Sequence, residues 1–292
     1  MSVELPASSV RLPAGPWITV IAFLCERFPD IKGDEWRDRF LRGRVRDESG
    51  QPLSLDTVYR QGSLVRYFRE VADELVIPFE ERILFADKNL IVVDKPHFLT
   101  VSPVGVWVEQ TLLSRLIRRT GNRDLSPIHR IDRATAGLVL FSVSPQTRAP
   151  YQALFRERRI SKAYEALAPP LPELRFPVAR RTRLTTGTPF FRTAEVAGPA
   201  NSETRIEVID RGRDAWRYRL IPVSGRKHQL RVHMAALGAP ILNDPLYPDI
   251  REEARGDFSR PLALLASRLE FTDPLDGSAR QFSSTLVLGE AI

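Results

Sequence analysis

The run Ala136-Gly137-Leu138-Val139-Leu140-Phe141 follows His129-Arg130-Ile131-Asp132-Arg133 after only Ala134 and Thr135. A short, unbroken apolar run reads as a buried strand. Asp132, flanked by Arg130 and Arg133, therefore stands at the mouth of that strand, with the small residues Ala134, Ala136 and Gly137 leading in. Charges in such a place are costly unless they are paired. On charge alone two readings are open. One is a structural salt-bridge knot or solvated turn, the commoner use of an Asp between two Arg. The other is a functional site.

The rest of the pattern divides the chain. Residues 1–16, rich in Ser, Pro and Ala, read as a flexible leader. Residues 17–75 read as a small α/β unit. Ile18, Ile21, Leu24 and Phe28 fall at helical spacing, a second short helix covers 35–41, Gly43 ends it, and short strands with Gly-containing turns follow.

Residues 82–292 form the larger domain. Residues 83–96 carry two β-rich runs around an Asp-Lys-Asn turn, a hairpin pattern. The next helix turns Leu112, Leu116 and Ile117 inward and Arg115, Arg118 and Arg119 outward. Pro145 opens another, with Tyr151, Leu154 and Phe155 on its apolar face. In SGRKHQLRVHMAALGAP, Ser224 suits an N-cap, Leu230, Met234 and Leu237 form a stripe, and Gly238 ends the helix. Strands outnumber helices and often follow one another directly. The expected class is α+β: a mixed, mainly antiparallel sheet with flanking helices, plus the small N-terminal unit.

Lys and Arg outnumber Asp and Glu by 43 to 36, a net charge of +7. A basic excess in a globular chain suits a polyanionic partner, and solubility alone is the bland alternative. Cys25 is the only cysteine, so neither an internal disulfide nor a thiolate metal cluster can form. The first residues lack a secretory pattern, and no window approaches the ~18 apolar residues of a membrane span. A cytoplasmic, monomeric protein with no membrane association is expected. His228 and His233 invite a metal reading. Their i, i+5 spacing puts them on different helix faces and no HExxH pattern exists, so no metal is expected.

Two more elements could carry chemistry. His228, Arg231 and Ala235 share one helical stripe beside the apolar face, which could let Arg231 pair with a buried carboxylate, or simply form an exposed basic face. Lys162 and Tyr164 point to the same side of a strand. A Tyr there is usually core, but it can also stack on a base.

Taken together these segments resemble the RluA-type pseudouridine synthases. HRIDRATAGLVLF resembles their HRLDRxTSGLLLFA signature, and KAYEA their K-x-Y-x-A strand. SGRKHQLRVHMAALGAPILND resembles their GRxHQLRxHxxxLGxPIxGD segment, and ILFADKNLIVVDKP their opening hairpin. Order and spacing agree from Ile83 to Phe271. Residues 17–71 resemble a degenerate copy of the small ribosomal-protein-type RNA-binding domain often fused to these enzymes. The chain departs from the pattern at several points. Pro96-His97-Phe98 replaces a Pro-x-Gly turn, Asn243 replaces the Gly before Asp244, and Leu265 replaces a frequent His. The Gly that often follows the Tyr strand is missing.

The resemblance implies isomerisation of uridine in ribosomal or transfer RNA, with no cofactor. It implies a catalytic group of Asp132, Tyr164 and Arg231. Asp132 is the indispensable carboxylate, Tyr164 packs on the flipped uracil, and Arg231 pairs with Asp132. Substrate contacts are implied for Arg130, Arg133, Lys162, His228, Gln229 and Leu264, with RNA backbone contacts from 115–119 and 156–162. Three rivals are weighed. A nucleoside-processing metalloenzyme fails for want of metal ligands. A non-catalytic RNA-binding or ribosome-assembly protein would bind RNA without making product. A protein kinase, loosely echoed by His129-Arg130-Ile131-Asp132, would need a Gly-rich loop and an Asp-Phe-Gly that the chain lacks.

Overall fold

The computed structural model describes residues 7–71 and 73–289. Two compact units divide between Asp73 and Glu74. The first holds β1 (Ser8–Arg11), α1 (Val20–Arg27), α2 (Gly33–Leu41), β2 (Val45–Arg46) and β3 (Leu64–Tyr67). Its three strands form one antiparallel sheet in the order β1-β3-β2. The expected leader is corrected here. Residues 8–11 pair with β3 from Ser8↔Tyr67 to Arg11↔Leu64, because their alternating exposure gives them one face for the core. Of the expected apolar stripe, Ile21, Leu24 and Phe28 pack into the core and Ile18 does not. Val20, Phe23 and Leu24 are buried in α1, and Ile18 lies before the helix, exposed.

The second unit holds β4 (Arg82–Ala86), β5 (Leu90–Lys95), α3 (Leu112–Thr120), β6 (Ser126–Pro127), β7 (Ala136–Ser142) and α4 (Pro145–Arg156). It continues with β8 (Ile160–Ala168), β9 (Val178–Thr186), β10 (Thr193–Val196), β11 (Ser202–Arg211), β12 (Trp216–Pro222), α5 (Gln229–Ala236), β13 (Leu264–Thr272) and β14 (Ala279–Ser283). The strands make one sheet in the order β10-β9-β11-β12-β8-β13-β7-β5-β4, with β14 against β13 and β6 against β7. Among the described strand pairings only β7–β13 is parallel, so the sheet is mixed and mainly antiparallel.

β7 is buried at every position, as its apolar run requires. Its partner β13 approaches unusually closely at Gly137. A Cβ there would stand 2.3 Å from the Ala266 carbonyl oxygen, and φ is +108°. Only glycine fits both conditions. One apolar layer packs Leu138, Leu140, Tyr151 and Leu154 between β7 and α4. A second packs Leu230 and Met234 of α5 onto Ala166, Ile206, Tyr218, Leu220 and Leu264 of the sheet. That second layer fixes α5 over the strands that carry the candidate site.

Two of the departures from the family pattern have a backbone consequence. Phe98 and Asn243 both adopt left-handed φ, 65° and 60°, where glycine would be unstrained. Asn tolerates that region through its short polar side chain. Phe98 does not, and it is held there by burial between Phe79 and Phe258, whose ring centroids lie 6.0 and 5.1 Å away.

Candidate active site

β8, β13 and β7 are neighbours in the sheet, so the turn before β7, the middle of β8 and the start of β13 open onto one place. Asp132 sits in that turn, where the Thr135 N–H donates to its carbonyl oxygen at 3.1 Å. The turn is held from below. Lys95, at the end of β5, is fully buried. Its ammonium donates to the carbonyls of Pro96 and Leu99 at 2.8 Å and to that of Arg133 at 3.3 Å. Burial holds this ammonium well below the ordinary lysine range, against the pull of Asp132. His97 Nδ1 lies 2.7 Å from the Ala134 carbonyl oxygen. Burial lowers His97 to about 4, so the neutral ring donates that hydrogen bond.

Arg231 comes from α5 and is almost wholly buried. Its Nε and Nη2 donate to the two carboxylate oxygens of Asp244 at 2.8 and 2.6 Å, and its Nη1 donates to Asp132 Oδ2 at 3.2 Å. Burial alone would lower this guanidinium. The hydrogen bonds and charge of Asp244, then the charge of Asp132, hold it above its ordinary value. Asp244 is fully buried and also accepts from the backbone N–H groups of Leu246 and Tyr247, at 2.8 and 3.1 Å. His228 caps the start of α5 with φ +54°. Its Nε2 lies 3.9 Å from Asp132 Oδ2. Burial holds His228 down at about 4 although Asp132 pulls it upward, so the ring is neutral.

Tyr164, at the centre of β8, is half-buried against the α5 layer. Burial, and then the charge of Asp132, push its phenol above its ordinary value of 10. The phenol is therefore protonated across the working pH range.

These groups line a cavity of about 860 Å³. Asp132 is the only carboxylate among the described residues lining it. Tyr164, Arg231, His228, Gln229, Leu264, Lys162 and Arg130 line it as well. Exposed cations surround the opening: Arg130, Arg156, Arg158, Arg226 and Lys227. A cavity of this size accommodates a nucleoside, and its single carboxylate beside an aromatic ring can act on a sugar carbon.

Several expectations are corrected. Arg133 does not line the cavity. Its guanidinium lies over the Trp107 ring at 5.5 Å and 4.0 Å from Glu253. Gln229 reaches the cavity wall, but its amide is engaged in holding the turn. Nε2 donates to the Glu203 carbonyl and Thr204 Oγ1 at 2.9 Å, and Oε1 accepts from Ser224 Oγ at 2.7 Å. Ser224 therefore anchors the turn rather than capping α5, which begins four residues later than the sequence suggests. Arg115 turns inward to the carbonyls of Ile77 and Phe79, at 2.7 and 2.6 Å. Arg118 faces Glu109, and none of 115–119 lines the cavity.

His233 lies on the other side of α5 from Arg231, bonded to Thr204 and Thr182 at 2.9 and 3.0 Å. Among the described residues no group of three or more His, Cys, Asp or Glu side chains is placed to hold a metal ion. Nor is any described helix long and apolar enough to cross a membrane. Asp244 and Tyr247 were not singled out by sequence reasoning. The available signal was an acidic residue and an aromatic one following a turn that closes a helix.

Comparison with known proteins agrees with this geometry. The family described as RNA pseudouridylate synthase matches residues 89–236. A dual-specificity RNA pseudouridine synthase, RluA, of Haemophilus influenzae is 32% identical over 209 residues, covering 69% of this chain and 91% of that protein. RNA pseudouridine synthase 5 of Arabidopsis thaliana is 26% identical, covering 77% of this chain and 74% of that protein. The solved structure of human RNA pseudouridylate synthase domain containing 1 shares the fold, with a TM-score of 0.57 at 22% identity over 74% of this chain and 85% of that one. With the family match over half of the chain and its motifs gathered round one cavity, the chain belongs to the RNA pseudouridylate synthase family, among its RluA-type members, and is an RNA pseudouridine synthase, an intramolecular isomerase.

Proposed function

We propose that this enzyme isomerises specific uridines of ribosomal or transfer RNA, with Asp132 as the reacting carboxylate. The observation that carries the reading is the cavity itself. One carboxylate faces it, paired with a guanidinium whose own position is fixed by Asp244, and a tyrosine ring forms another part of the wall.

The reaction breaks the N1–C1′ bond, turns the uracil and joins C5 to C1′. A uridine within RNA structure must first leave its stack to reach such a pocket. In this reading Tyr164 and Leu264 supply the surface on which the extruded uracil packs, and Asp132 begins the chemistry by attack at C1′ or by removal of the C2′ proton. Arg231 aims the carboxylate. Arg130, with Arg156, Arg158, Arg226 and Lys227, meets the phosphates flanking the target, a role suited to exposed cations around an opening, and half-buried Lys162 lines the wall. The protonated phenol of Tyr164 serves here as a packing surface, and any proton it takes from C5 requires another acceptor for its own.

Mapping pseudouridines in ribosomal and transfer RNA from cells with and without this protein tests the reading. Loss of specific sites from either RNA class, restored by the wild-type chain, is the expected result. An unchanged map in both classes contradicts it.

A further inference from the structure

Behind the Asp132–Arg231 pair lies a side chain that no step above uses. Tyr247 is buried, and two guanidiniums lie against its ring, with Arg231 Cζ at 5.3 Å and Arg192 Cζ at 4.9 Å from its centroid. Its hydroxyl accepts from the Thr193 N–H at 2.7 Å and lies 2.9 Å from His228 Nδ1 and 3.1 Å from the Thr193 carbonyl oxygen.

The hydroxyl has one proton and two acceptors within reach. The far side of the imidazole decides between them. His228 Nε2 faces Asp132 Oδ2 at 3.9 Å. If the hydroxyl proton went to Thr193, Nδ1 would carry the ring proton and Nε2 would present a lone pair to a carboxylate oxygen. If the hydroxyl donates to Nδ1, Nε2 carries the proton and presents an N–H to that oxygen. The second arrangement is electrostatically favoured in a partly desolvated site. Arg231 Nη1 approaches the same oxygen, Oδ2, at 3.2 Å. Arg231 thus hydrogen-bonds one side of the carboxylate, and the His228 N–H faces the same oxygen from 3.9 Å, an electrostatic contact rather than a hydrogen bond. Among the described residues nothing donates to Oδ1.

We propose that Tyr247 is a positioning residue whose hydroxyl fixes His228 as the Nε2–H tautomer, so that His228 and Arg231 together restrain Asp132 Oδ2 and leave Oδ1 as the oxygen that meets the ribose. This deepens the reading of Asp132 as the reacting group and rests on it. The burial that holds His228 neutral suits the role, since a neutral ring donates from only one nitrogen.

The test uses the full chain labelled with 15N-histidine. Long-range proton–nitrogen correlation spectra report which nitrogen of each ring is protonated, and His228→Gln assigns the His228 signals. The wild-type spectrum is expected to show His228 protonated at Nε2. An Nδ1-protonated His228 overturns the inference whatever any variant does. Tyr247→Phe keeps the ring against both arginines and removes only the hydroxyl. It is expected to lower kcat about tenfold, the scale of one hydrogen bond lost in the transition state, with KM for RNA unchanged. The signals of His97, His129 and His233 report whether the variant keeps its fold. His228→Gln, which retains a donor amide, is expected to keep more activity than His228→Ala. Full kcat in a folded Tyr247→Phe overturns the inference while leaving the role of Asp132 intact. If Asp132→Asn is active, the fault lies with the underlying reading instead.

Discussion

Asp244 grips the guanidinium of Arg231 with both carboxylate oxygens, at 2.8 and 2.6 Å, and leaves one guanidinium nitrogen 3.2 Å from Asp132. The two carboxylates are not equivalent. Asp244 is fully buried and holds the arginine in place, and Asp132 faces the cavity and receives what remains of it.

Removing Asp244 therefore leaves a buried cation without its main partner. Asp244→Ala is expected to destabilise the protein by about 3–5 kcal/mol, the usual cost of breaking one side of a buried ion pair. Urea denaturation of the variant beside the wild type measures this. A loss below about 1 kcal/mol, the range of an exposed pair, would mean that Arg231 does not depend on Asp244.

The four histidines make stability depend on pH. Burial lowers His129 to about 3, and His97, His228 and His233 to about 4, from an ordinary 6.5. As pH falls through 6.5 the unfolded chain takes up four protons that the folded chain refuses until pH 3–4. Stability is thus complete above 6.5 and declines between 6.5 and about 4, by at most about 1.4 kcal/mol per histidine per pH unit. Urea midpoints near neutral pH and near pH 5 check the sign. A midpoint that rises on acidification contradicts the neutral, buried state of these rings.

The basic residues sort by position rather than by sequence neighbourhood. Arg158 lies exposed at the cavity opening, and Arg118 faces Glu109 away from it. Arg158→Ala is expected to weaken RNA binding and to reduce the slope of log affinity against log salt by ~0.7–0.9 per lost phosphate contact. Arg118→Ala is expected to change neither. Binding titrations over a range of salt concentrations separate the two variants, and equal effects would displace the RNA path from this opening.

Much of the site was legible because it is written in contiguous segments. The strand entered from His129-Arg130-Ile131-Asp132 is buried throughout, the hairpin of 83–96 forms, and Arg231 does pair with Asp132. What sequence missed depends on long-range contacts. Ser8–Arg11 has few strand signals of its own and becomes a strand because β3 offers it a free edge. β9 carries several arginines and threonines and no strand was expected there, yet it pairs with both β10 and β11. Arg133 has the same sequence credentials as Arg130, and the turn sends the two apart. The start of α5 shifted from Ser224 because Gln229 captures the serine hydroxyl from within the helix. Asp244 and Tyr247 acquire their importance only once the chain after α5 folds back beneath Arg231.

In the proposed function the carboxylate of Asp132 carries out the chemistry. Asp132→Asn keeps the shape of the side chain and removes its charge, so RNA binding should survive. The most direct measurement is carbodiimide-dependent primer extension on substrate RNA incubated with each protein, with binding measured in parallel. A pseudouridine stop is expected with the wild type, none with Asp132→Asn, and similar RNA affinity for both. Pseudouridine formed by Asp132→Asn at a rate comparable to the wild type would contradict it.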